Sequence, residues 1–310
     1  FRAGTLAGDT NQGQSSVAVG RQAGTTAPGN SSVAIGNNAG QTSQSDGGVA
    51  VGSGAASNTQ GVNTVAVGTN AGQNTQGGSA VAVGYLSGYD KQGLRSVAVG
   101  QQAGRANQGG SSVAIGNSAA SGADPSTFAN LTEEEIEAFD LSDPSLYEDP
   151  AFGQGENSVA IGTSAGQSAQ GQRSVAIGNN AAQEEQGKYS VAIGVNAAQK
   201  DQSDSAIAIG NSAGGNNQGE RSVAIGTSAG QYDQGSNGVI ISAKNSVVDD
   251  TTSGHIHIAS SEGSLDFTTA DGWNMTGGDL TVNGTPVGAT IEILQATIVA
   301  LTARLKLLEK

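Results

Sequence analysis

The chain has 310 residues, 49 of them Gly, with 4% aromatic residues, no Cys and a net charge of −14. That composition argues against an ordinary compact globule, which would hold more Leu, Phe and Trp, and it removes disulfides, thiolate metal sites and cysteine nucleophiles. The charge disfavours nucleic acid as a partner, and no run of about 18 apolar residues predicts a membrane-spanning helix.

Residues 1–243 are governed by a repeat. The tetrapeptide Val-Ala-(Val/Ile)-Gly starts at Val17, Val33, Val49, Val65, Val81, Val97 and Val113, each 16 residues after the last. It resumes at Val159, Val175, Val191, Ile207 and Val223. Phe1-Arg2-Ala3-Gly4 is a degenerate copy in the same register, and a weaker copy begins at Val239. Small residues recur at Ala23, Ala39, Ala55, Ala71, Ala103, Ala119 and Ala165. A Gln-Gly pair precedes most copies, as at Gln12-Gly13, Gln76-Gly77, Gln108-Gly109, Gln170-Gly171 and Gln218-Gly219.

A unit of 16 residues cannot bury its own apolar face, but stacked neighbours can. Each unit therefore reads as one coil of an all-β solenoid. Gly20 ends a short strand at a tight bend. Val17 and Val19 share a strand face. The expected roll core is the ladder Val17, Val19, Val33, Ile35, Val97, Val99, Val175, Ile177, Val223 and Ile225. At about 4.8 Å per rung the coils predict a rod roughly 65 Å long. Two branched residues per coil are a thin core for one chain, so lateral association is expected.

Ser-Val-Ala-Ile-Gly followed by two residues and a small pair, as in residues 112–120 and 222–230, resembles the YadA-like head repeats of trimeric autotransporter adhesins. The same repeat occurs in phage tail fibres. The resemblance implies a left-handed parallel β-roll with three chains to a head. It covers residues 1–243 apart from one insertion. The steady period of 16 is slightly longer than is usual in adhesin heads.

The interval from Val113 to Val159 is 46 residues, or 16 + 30, which predicts a 30-residue insertion, placed at 124–153. It carries Asp124, Glu133, Glu134, Glu135, Glu137, Asp140, Asp143, Glu148 and Asp149, and no Lys or Arg. Thr132 with Glu135 forms a capping box, so a short helix is expected over 132–140, with Ile136 and Phe139 available for docking. The segment reads either as a receptor-contact knob or as a tolerated surface excursion.

A β-rich connector is expected over 244–288, with strands around Leu265 and Phe267, Trp273 and Met275, and Leu280 and Val282. Asn283-Gly284 is a hairpin turn signal. Trp273 reads as a core or interface anchor, and the stretch from Met275 resembles connector segments of phage fibres. His255 and His257 share a strand face. Three chains around an axis would present six such nitrogens, a set suited to iron or another divalent metal. With Ile256 and Ile258 turned inward instead, both histidines are solvated.

Residues 289–310 predict a coiled coil. Ile291, Leu294, Ile298, Leu301, Leu305 and Leu308 form an a/d seam. Arg304 and Glu309 fall at g and e positions, and their spacing with Leu305 and Leu308 matches a pattern associated with trimeric coils. Two histidines and no cysteine leave no nucleophile–base pair, so no enzyme is expected. The expected function is a structural and adhesive fibre of a phage or virus particle. Such a homotrimeric rod would join other virion or tail proteins to a host-surface glycan or protein. The alternative is the passenger head of a trimeric autotransporter adhesin at the bacterial surface. The charged helix at the end of the chain, without anchor strands, leans the expectation toward the virion.

Overall fold

The computed structural model describes residues 1–26, 28–122, 153–244, 246–261 and 263–268, with 272–276, 281–282, 285–286, 298 and 301. The repeat folds as the all-β parallel solenoid expected of it. Strands of three residues, such as Val17–Val19, Val33–Ile35 and Val49–Val51, stack in parallel, with Val17 beside Val33 and Val33 beside Val49. The degenerate first copy joins through Arg2–Ala3, and the weak last copy through Val239–Ser242.

A second sheet closes the roll on the opposite side. Its strands end on the repeated Gln, from Thr59–Gln60 to Ala106–Gln108 and again from Ser168–Gln170 to Tyr232–Gln234. Isolated bridges Gln108–Gln154 and Gln154–Gln170 connect the two parts.

The strand alternation is as the sequence predicts, but its faces are reversed. Ala18, Ala34, Ala98, Ala176 and Ala224 point inward and are buried, while Val17, Val19, Val33, Ile35, Val97, Val99, Val175, Ile177, Val223 and Ile225 lie on the outer side, none of them buried. The interior also holds the corner column Ala23, Ala39, Ala55 and their successors, a column of small residues before each strand, and the Gln side chains. The core between the two sheets is thus built mainly of Ala methyl groups and Gln side chains. Ile240 is the exception in the Ala column. It sits in the last full coil, where Val248 packs against it.

The corners demand unusual backbone. Gly20 has φ +128, and a Cβ there would stand 2.5 Å from the carbonyl oxygen of Gly36, which makes the column glycine by sterics alone. Other corners use left-handed non-glycine residues such as Gln22, Asn38, Asn70 and Ser31. None of the left-handed residues among those described is Val, Ile or Thr, the residues that this region penalises most.

The insertion leaves the stack undisturbed. Val113 pairs with Val159 as any strand pairs with the next. The coil runs up to Gly122, whose N–H donates to Gln167, and resumes at Gly153, whose carbonyl accepts from Gln170. The interposed residues are therefore 123–152, one position earlier than expected. The helix expected over 132–140 lies outside the described residues.

The expected boundary at 243 also shifts. Ile256–Ser260 adds one more parallel strand, pairing Val239 with Ile256. Only then does the sheet turn antiparallel, through Gly263–Thr268 and Gly272–Thr276. Thr281–Val282 and Thr285–Pro286 pair antiparallel around residues 283–284, where the hairpin was expected.

Candidate assembly surface

Reversal of the strand faces places the most apolar residues of the chain on its outside. The Val and Ile columns run the length of the roll. The second position of each pair is the more open: Ile35 is 39% exposed and Ile209 37%, against 1% for Ala34. Parallel register carries the columns past the last coil, since Val239 and Ile241 stand beside Ile256 and Ile258. Antiparallel register then sets Phe267 opposite Ile256 and Leu265 opposite Ile258, with Trp273 and Met275 next in line. The exposed apolar track therefore runs the length of the roll and onto the strand Ile256–Ser260. Apolar surface of that extent marks a site of association.

The comparisons fit that geometry. Two stretches, residues 12–39 and 154–181, match the YadA head domain repeat. Neither the curated proteins nor the solved structures gave a match. The matched stretches lie on either side of the insertion, and the coils between and beyond them repeat the same pairings.

From Gln44 onward the coils are closed from within by their Gln. Gln202 is buried, and its Nε2 donates to the carbonyls of Val191 at 3.0 Å and Ala206 at 3.3 Å, and to Gln218 Oε1 at 3.0 Å. Gln186, Gln202, Gln218 and Gln234 thus form a continuous amide ladder. A Ser hydroxyl closes the next turn, as in Ser174 Oγ donating to the Gly171 carbonyl at 2.6 Å. These groups brace the coils from within, and along residues 186–234 side chains as well as backbone tie each coil to the next.

His255 and His257 fall elsewhere than on the track. His257 stands in register with buried Ile240, whereas Ile256 and Ile258 continue the exposed columns. His255 Nδ1 approaches an Asp250 carboxylate oxygen. Nearby, burial raises the Asp249 carboxyl above its ordinary pKa, opposed by backbone hydrogen bonds from Tyr232 and Gln231 and aided by the charge of Asp233. Among the described residues no three His, Asp or Glu gather as a metal site.

Of the expected trimerisation residues, Ile298 and Leu301 are helical and exposed, at 62% and 54%. Ile291, Leu294, Arg304, Leu305, Leu308 and Glu309 lie outside the described residues. Among those described, no helix is long and apolar enough to cross a membrane.

Proposed function

We propose that three copies of this chain pack their Val/Ile tracks around a common axis and form a rigid surface fibre that attaches a phage or virus particle to its host. The observation that carries this reading is the unburied track over an interior made of Ala. Covering the rest of each half-exposed Val or Ile is worth about 1 kcal/mol, so ~20 kcal/mol per chain along the roll. That exceeds the roughly 4–15 kcal/mol that association costs. The C-terminal heptads would set the three chains in register. Action at the host surface is mechanical: weak contacts on a stiff rod add through avidity, with no catalytic step.

Sedimentation of the full chain tests assembly. A trimer is expected, and Ile193→Asp with Ile209→Asp should return monomer. A wild-type chain that stays monomeric at micromolar concentration removes the reading.

A second reading, the head of a bacterial trimeric autotransporter adhesin, is supported by the two matches to the YadA head repeat. Antibody labelling in electron micrographs separates the two: label on particles favours the first, label on the cell envelope the second.

A further inference from the structure

Between residues 17 and 238, six exposed large apolar side chains lie off the track among the described residues: Val62, Tyr85, Leu94, Tyr189, Val195 and Tyr232. Five of them occupy corners that flank the track. Tyr85 and Val195 follow the strands Val81–Val83 and Val191–Ile193, on one side. Val62, Leu94 and Tyr189 precede the strands Val65–Val67, Val97–Val99 and Val191–Ile193, on the other.

The two sides have complementary shapes. Tyr85 projects, 49% exposed. Opposite it, Val62 and Leu94 flank the bare backbone of Gly78. A Cβ at Gly78 would meet Val62 Cγ2 at 3.5 Å, Leu94 Cδ2 at 3.7 Å and the Val62 carbonyl oxygen at 3.7 Å, all ordinary contact distances. The turn at Gly78 leads into Val81, Tyr85 follows Val83, and the turn at Leu94 leads into Val97. The knob thus stands at a height between the floor and the upper wall of the notch, within about one 4.8 Å rung. Beside the knob, Leu86 holds a left-handed φ of 55 where other coils place Gln22, Asn38 or Asn70. A bulky residue there is strained by roughly 1–2 kcal/mol, the kind of cost that clusters at functional positions.

We infer that Tyr85 of each chain inserts into the Val62–Gly78–Leu94 notch of the next chain, forming an interchain buckle at mid-roll, with Val195 and Tyr189 as a second one higher up. The inference rests on the trimer reading. With the track turned to the axis, its two corners face the two neighbours. A closed ring of heterologous contacts brings the knob of one chain to the notch of the next at one level. An antiparallel two-fold pair, with its axis across the rod, would instead set knob against knob. Knob and notch lie at one level on the two corners that flank the track, so the occupant is a second copy of this chain.

The absence of cysteine makes the test clean. Tyr85→Cys with Gly78→Cys in the full chain, treated with a short bis-maleimide, should give covalent dimers and trimers on denaturing gels. Each single variant should stay monomeric there. Val195→Cys with Tyr189→Cys repeats the test at the second level, should the first pair fail to fold. A double variant that sediments as a trimer yet does not cross-link overturns the buckle and leaves the trimer standing. Cross-linked single variants overturn it too, because they report like corners in contact. A monomeric wild type overturns both readings.

Discussion

Gln202 braces its coil from the inside. Its carboxamide satisfies the carbonyls of Val191 and Ala206 in an interior that admits no bulk solvent, and it passes a hydrogen bond to Gln218. Orphaning buried carbonyls costs about 1–3 kcal/mol each. Gln202→Ala is therefore expected to destabilise by roughly 3 kcal/mol, with faster amide exchange in its own and the adjoining coils. Exchange unchanged around Val191 and Ala206 would show that the amide is idle. The Gln column was legible in the sequence as a period whose stacked side chains either bond coil to coil or are solvated; the bonds are present, and their place inside the roll is what the period did not show. The inward Ala was hidden for a related reason. Alternation fixes which residues share a face but not which face is inside, and hydrophobicity ranks Val above Ala. What decides is the closure of the coil, which no single repeat displays.

At the scale of the elements, the corners were the most legible part, because Gly at φ +128 leaves no alternative. The connector was legible as strands, yet its boundary was not. Ile256–Ser260 continues the parallel stack although its sequence no longer repeats, because strand pairing needs only register and an apolar outer face. The loop before it introduces a pH response at Asp249. Asp249, raised by burial, holds its proton more tightly in the folded chain than in the unfolded one. Its contribution is present at low pH and is lost as pH rises from about 4, the ordinary carboxylate range, through the raised value. Asp249→Asn retains an acceptor for the Tyr232 N–H and removes the ionisation. Melting curves should show the decline with rising pH flattened in the variant. An identical pH profile would mean that Asp249 ionises as freely folded as unfolded.

The molecule as a whole behaves as a stack in which each coil meets only its neighbours, so its stability is close to a sum of rungs and the contacts between them. Deleting residues 191–206 should join the strands Val175–Ile177 and Ile207–Ile209 without loss of register. The product should be a folded rod about 4.8 Å shorter, measurable by small-angle scattering. Removing half that length should unfold the coils beyond the cut, because it would turn the Ala column outward. A half-period deletion that keeps the rod intact would contradict the account of the interior.

The coil that carries the insertion closes like every other: Val113 meets Val159, and Gln108 bonds to Gln154 across 46 positions of chain. The pairing across the junction between Gly122 and Gly153 is thus the pairing of every other coil. Such a site behaves as a socket. Recombination can exchange its contents for a different module while the shaft that carries it is inherited unchanged.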